Sequence, residues 1–416
     1  MREMWRTPAG RGFIMLAVMS AAFGFASNAH SSIVTNYLEE VLHLSGPQFG
    51  YWTAIRELGG FILIFLAALF YRVSLQALTA GALVVLSISY VLFTVATDFW
   101  TVLPWTLLGS FGLHMVLQTQ VALGMSLTTE DRTGSVLGRM SAAGQIGTFV
   151  ALVMVFLLFH FKLVSYRPTF IILAIAGIIG ALAIVRFPHL HEGRLRRFAP
   201  KRERIVFRRD YRYYYALVFL DGARQQVFFS FGLWVLVNHF GLGVAQISLV
   251  MIAVTLGCML TVSRLGRSID RFGERRFLSI VNLSYIVALA GYALAPNVWA
   301  ACVFYLIYAI IAPLSYMGAS TYLRKISTAA DLAPSLSMGV TMQHAAAIVV
   351  PVAAGFILNF VGYQIPFFAA CGVAVVAFFL TLRLDPATQK CAERIASDRV
   401  AATEADRDAL AANVGS

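Results

Sequence analysis

Apolar residues in this chain fall into blocks of about twenty, separated by short polar breaks, from Gly12 to Leu384. A helix needs ~20 mostly apolar residues to cross the hydrocarbon of a bilayer. No ten-residue stretch alternates apolar and polar positions as a membrane-barrel strand does. Helices, by contrast, satisfy their own backbone groups in lipid. The pattern predicts an all-α membrane protein with twelve transmembrane helices, at 12–38, 46–70, 76–97, 100–127, 134–161, 166–187, 212–239, 244–265, 277–295, 297–323, 334–360 and 362–384. Arg2, Arg6 and Arg11 before the first block, with small residues at Ala26–Ala29, also fit a cleaved signal peptide. That block runs on to about Tyr37, longer than the apolar core of such a peptide.

Composition agrees with lipid as the solvent. Of 416 residues, 59% are hydrophobic and 12% charged, and the mean hydropathy is +0.76. A soluble domain carries about 25% charge. The formal charge of +12 would suggest nucleic acid on a soluble chain. Here the basic residues gather on one set of loops, so no nucleic-acid partner is expected. Arg72, Arg132, Arg264, Arg267, Arg271, Arg275, Arg276, Arg324 and Lys325 lie on those loops, and Arg194 to Arg209 crowd the central one. The opposite loops hold little beyond Lys162 and Arg167. The positive-inside rule places both termini and the central loop in the cytoplasm, as for a multi-pass protein of a cell (inner) membrane. Cys258, Cys302, Cys371 and Cys391 have the spacing of neither a disulfide framework nor a metal site.

The basic stretch 188–211 divides the chain into a six-helix bundle over 1–187 and a second over 212–384, followed by a polar cytoplasmic tail at 385–416. The halves read as a repeat. Gln48 and Leu58-Gly59 recur as Gln246 and Leu256-Gly257, and Asp131 and Ser135 recur as Asp331 and Ser335. Parallel six-helix repeats are a transporter plan.

Between the eighth and ninth helices the chain reads Gly266-Arg267-Ser268-Ile269-Asp270-Arg271-Phe272-Gly273-Glu274-Arg275-Arg276. This resembles the loop signature of the major facilitator superfamily, G-x-x-x-D-R-x-G-R-R/K. The resemblance covers almost the whole chain and implies two pseudo-symmetric bundles. It also implies that Gly266, Asp270, Arg271 and Gly273 form a conformational latch between the halves in one access state. By two-fold symmetry, Asp270 is expected near Gly134–Ser135, with Arg139 in reach. The chain departs from the family between helices two and three, where Phe70-Tyr71-Arg72-Val73-Ser74 has neither Asp nor Gly. Helix five keeps Gly138, Gly144 and Gly147 but lacks the Pro of the family's antiporter signature.

Ionisable residues at membrane depth are costly and mark cavities or mutual partners. Helix seven carries Asp221 and Arg224, three apart and so on one face, with Gln225. Helix two carries Arg56 and Glu57, which point ~100° apart on a helix and so are expected to serve different contacts. In the family, helices one, four, seven and ten line a central cavity. The expected substrate-binding residues are therefore Asn28, His114, Gln118, Arg224, Gln225, Tyr305 and Tyr308 on those helices, with Arg56 on helix two beside them. Glu57 and Asp221 are the expected proton carriers, because burial makes a carboxyl take up a proton more readily.

The reading is a secondary active transporter that moves a small organic solute by alternating access. Proton coupling is expected, and the two buried arginines suit an organic anion or zwitterion. The alternatives are an uncoupled facilitator or drug-type efflux transporter, and more remotely a non-transporting sensor or membrane-embedded enzyme. No cofactor, metal ligand set or nucleophile constellation is evident. A monomer is expected, with the solute, protons and the lipid bilayer as its partners.

Overall fold

A computed structural model describes residues 7–66, 73–127, 133–188, 207–392 and 394–396. Its elements are α1 (Pro8–Glu40), α2 (Gly46–Leu66), α3 (Leu75–Phe93), α4 (Phe99–Ser126), α5 (Thr133–His160), α6 (Tyr166–Val185), α7 (Arg212–Asn238), α8 (Val244–Ala293), α9 (Val298–Ile326), α10 (Ala329–Val361) and α11 (Gln364–Thr381). There is no strand among the described residues. Most of the basic linker, the tail beyond 396, and Phe70, Tyr71, Arg72, Asp131 and Arg132 lie outside the described residues.

Helix starts follow local chemistry. Thr7 accepts from the Gly10 N–H at 3.1 Å, and Pro8 takes the first helical position, where a missing N–H costs nothing. Helix α1 thus begins four residues before the apolar block does. Asp98 accepts from the Trp100 and Thr101 N–H groups, while Thr101 Oγ1 accepts in return from the Asp98 N–H. These bonds, led by that from the Thr101 backbone, hold the Asp98 carboxyl below its ordinary value. Thr328 caps α10 through the Asp331 N–H. Helix α10 therefore starts at Ala329, ahead of the expected position, and carries Pro334 and Pro351 within it.

The expected loop between the eighth and ninth spans is not a loop. Both spans belong to α8, which stays helical through Gly266–Phe272 and breaks only at Gly273, at φ 74 and ψ 161. A residue with a Cβ is strained at that φ, so glycine is what permits the bend. Ten helical stretches among the described residues are long and apolar enough to cross a membrane. Helices α2 and α7, which carry Arg56–Glu57 and Asp221–Arg224, are the two further long helices among the described residues. With them, and with α8 bent at Gly273, the helices are consistent with the expected twelve.

Helices α1–α6 pack as one bundle, with α1 against α5 and α6 and α3 against α4 and α6. Helices α7–α11 form the second, with α8 against α9 and α11 and α7 against α10. Polar side chains link neighbours, as membrane helices often do. Trp52 Nε1 donates to Thr106 at 2.8 Å, Thr79 to Thr119 at 2.8 Å, and Tyr285 to the Ile311 carbonyl at 3.0 Å. The repeat is visible in packing. A Cβ on Gly59 of α2 would meet Ser110 of α4, and one on Gly257 of α8 would meet Ile310 of α9.

The halves meet chiefly through α2 with α10 and α5 with α8. Near the α1–α2 and α7–α8 turns the contact is close. Asn36 donates to the Leu242 carbonyl at 2.8 Å and Asn238 donates to Glu39. A Cβ on Gly355 would lie 2.6 Å from the Gly46 carbonyl oxygen, and one on Gly50 would strike the Pro351 carbonyl.

Candidate functional site: a cavity between the halves

A cavity of about 520 Å³ lies between the two bundles. Most of its wall is N-terminal. Helix α1 contributes Ser27, Asn28, His30 and Ser31; α2 contributes Phe49, Trp52, Arg56 and Glu57; α4 contributes Ser110 and His114. The C-terminal half adds Gln226, Phe229 and Ser230 from α7, Thr255 from α8 and Tyr305 from α9. The N-terminal side carries the charges and most of the aromatic rings, and Leu233, Met251 and Val254 add aliphatic wall from the other side.

The charged centre of this wall is Arg56–Glu57. Contrary to the expectation from helical geometry, the two side chains pair with each other. Arg56 Nε and Nη2 lie 3.2 and 3.1 Å from Glu57 Oε1. The arginine stem is long enough to bring its guanidinium round to the adjacent residue. The guanidinium also sits 5.3 Å from the centre of the Trp52 ring, within cation–π range. The pair is only partly covered, with side chains 32% and 16% exposed. Glu57 Oε2 turns the other way, 3.7 Å from His344 Nδ1 on α10. His114 Nδ1 lies 2.9 Å from the Ser110 carbonyl, and its ring centre lies 5.7 Å from that of His344.

Asn28 joins α1 to α5, donating to Thr148 Oγ1 at 2.9 Å, and still lines the cavity. His30 stacks on Tyr90 with ring centres 5.0 Å apart, and its buried Nε2 has no partner among the described residues. Tyr305 stacks on Phe228 at 4.8 Å behind the wall.

The remaining expected residues are elsewhere. Arg224 and Asp221 form an ion pair inside the C-terminal bundle, with side chains 1% and 6% exposed. Arg224 Nη1 also donates to Tyr308 Oη at 2.6 Å, and its guanidinium lies 3.4 Å above the Tyr285 ring centre. Gln225 Nε2 donates to Asp221 at 3.2 Å. None of Asp221, Arg224, Gln225 and Tyr308 lines the cavity, and Gln118 is exposed on α4. The neighbouring Gln226, one step round α7, lines it instead. The sequence reading took Gln225 rather than Gln226 and did not single out Trp52 or Ser110; an aromatic position one turn from a charged residue was the available signal for Trp52.

In the motif, Asp270 and Arg271 are exposed and make no ion pair among the described residues. Gly134 has no atom near the place of a Cβ, and Ser135 and Arg139 are exposed. The buried acid of this segment is Glu274, 2% exposed and paired with Lys325 of α9 at 2.8 Å. Among the described residues no hydrogen bond or ion pair joins the halves at this end.

A family model for the Major Facilitator Superfamily matches residues 15–222 and 214–404. No curated protein matches the chain in sequence. The fold is similar to that of the nucleoside transporter NupG, with TM-score 0.72 and 16% identity over 90% of this chain and 100% of that one. It is also similar to a bacterial homolog of the human lysosomal transporter Spinster in an inward-facing, unoccupied conformation, with TM-score 0.68 and 15% identity over 90% and 96%. A POT family transporter in complex with a thioalcohol conjugated peptide matches with TM-score 0.71 and 12% identity over 89% and 95%.

Proposed function

This chain belongs to the Major Facilitator Superfamily, and on that premise we propose that it is a secondary active transporter for a small organic solute, working by alternating access and coupled to protons. The observation that carries the proposal is the cavity between the halves with an ion pair, Arg56–Glu57, on its wall. Arg56 offers a fixed positive charge to a carboxylate or other anionic group, and Gln226, Asn28 and Ser110 add hydrogen-bonding groups. Phe49, Trp52 and Tyr305 offer apolar faces to the rest of the solute. Of the two expected proton carriers, Glu57 has access to the solute and Asp221 does not, so Glu57 takes this role. A proton on Glu57 would release Arg56 to the solute, which couples the two bindings.

The lock near the α1–α2 turn and the open contacts around Asp270 support an inward-facing state, with both termini in the cytoplasm of a cell inner membrane. In the opposite state Asp270 would close against the start of α5, as a latch held by Gly266, Arg271 and Gly273. The protein acts as a monomer.

The test is solute uptake by proteoliposomes under an imposed pH gradient. Glu57→Gln should abolish gradient-driven accumulation while leaving solute exchange. Unchanged accumulation in that variant would remove Glu57 from the mechanism. The aromatic share of the wall favours a second reading, an uncoupled facilitator or drug-type efflux transporter. Wild-type flux indifferent to pH and potential would select it.

A further inference from the structure

Glu57 of α2, His114 of α4 and His344 of α10 meet where the two halves touch, and one ligand atom from each lies within 4.8 Å of the others. We propose that these three side chains form a binding site for a divalent late transition metal ion of the Zn²⁺ or Co²⁺ class, bridging the two halves. The site does not depend on the chain's being a transporter.

Two of the three ligands have their other polar atom already engaged. Glu57 Oε1 accepts two bonds from Arg56, which leaves Oε2 facing His344. His114 Nδ1 lies 2.9 Å from the Ser110 carbonyl, a group that only accepts. Nδ1 must therefore carry the proton, and Nε2 keeps its lone pair. A backbone carbonyl on the far ring nitrogen is what orients and selects the tautomer of a metal-ligating histidine. Ser110 is fixed in turn, since its hydroxyl donates to the Arg56 carbonyl. On the metal side of the ring, Gly60 leaves Nε2 room: a Cβ there would lie 2.7 Å from it.

The donor set decides the class of ion. Two imidazoles with one carboxylate suit zinc and its neighbours, whereas magnesium and calcium want oxygens. Three protein ligands with a fourth position open to the cavity is the arrangement of zinc sites that bind water or a further ligand. Zinc bonds of about 2.0–2.2 Å put neighbouring ligand atoms about 3.4 Å apart around a tetrahedron. The present spacing closes to that by side-chain rotation, and neither Glu57 nor His344 is wedged, at 16% and 25% exposed. The Arg56 charge opposes a dication, so binding should be modest in strength. Since α2 and α4 belong to one half and α10 to the other, a bound ion ties the halves across the cavity wall.

Cobalt(II) titration of the purified full-length protein tests this, because tetrahedral Co²⁺ absorbs visibly. The expected result is one Co²⁺ per chain, displaced by Zn²⁺ and not by Mg²⁺. Losing an outer partner of a metal site costs about 10–100-fold in affinity, so His114→Ala and His344→Ala should each cost at least that upper figure. Glu57→Gln keeps the side-chain shape and should lose binding with an unchanged melting temperature, which separates loss of the site from loss of the fold. His160→Ala, on the exposed end of α5, should bind as wild type. Absence of saturable binding to wild type, displacement by Mg²⁺, or wild-type affinity in His344→Ala would each overturn the proposal.

Discussion

In the N-terminal half the charged pair, Arg56–Glu57, stands on the cavity wall with side chains 32% and 16% exposed. In the C-terminal half the pair, Asp221–Arg224, is enclosed at 6% and 1%. Tyr90 of α3 and Tyr285 of α8 carry the same contrast. Tyr90 lies against His30, whose Nε2 is unpartnered and whose ring borders the cavity. Tyr285 lies beneath Arg224, whose guanidinium is also bonded to Asp221 and Tyr308. Around these two pairs, the N-terminal site keeps polar capacity at the cavity and the C-terminal one satisfies it internally. A charge that is fully paired inside a bundle holds that bundle together. A charge with a spare lone pair facing a cavity is available to something that enters it.

Four substitutions break or sharpen this contrast. The largest effect should come from Asp221→Asn, which leaves Arg224 charged and enclosed. Removing one partner of a buried pair costs about 3–5 kcal/mol, to be read as a fall in thermal unfolding temperature in detergent. Wild-type unfolding with transport abolished would instead make the C-terminal pair a working one. Tyr308→Phe removes a hydrogen bond to the same guanidinium, and a bond to a charged group is worth about 1.5–3 kcal/mol. Denaturant titration should show that loss, while solute affinity stays unchanged because Tyr308 does not line the cavity. Gly355→Ala tests the boundary between the halves. Overpacking costs about 1–3 kcal/mol, and cysteine labelling from the α1–α2 side should become faster as the lock is forced apart. The smallest stability effect belongs to Glu57→Gln. A pair that opens on a cavity contributes less than an enclosed one, so its melting temperature should move far less than that of Asp221→Asn although accumulation is lost. A large drop in melting temperature there would erase the distinction between the halves.

The twelve spans were legible because lipid imposes a length and polarity rule on each helix separately. The bend at Gly273 was misread as a loop, since basic residues end a transmembrane run in composition without ending the helix in space. The Arg56–Glu57 pairing was missed for a different reason. The angle between adjacent positions constrains Cβ directions, and arginine's four-bond stem outreaches that constraint. Arg224 was read as lining the cavity because depth along α7 is available from the sequence, while rotation about its axis depends on neighbours in α8 and α9. The Glu57, His114 and His344 cluster was beyond reach for the same reason, as its members come from three helices in two halves.

The contact between α2 and α10 runs in one antiparallel register. Gly46 meets Gly355, Gly50 meets Pro351 four residues on, and Glu57 meets His344 seven further. At its tight end this interface is backbone against backbone. Such a surface has no side-chain torsions to freeze when it closes or to free when it parts, so it brings little side-chain entropy to either conformation. On the proposal of alternating access, the bias between states falls to polar groups that meet across the halves: Asn36 and Asn238 at this end, and Glu57 with His344 further along the same track.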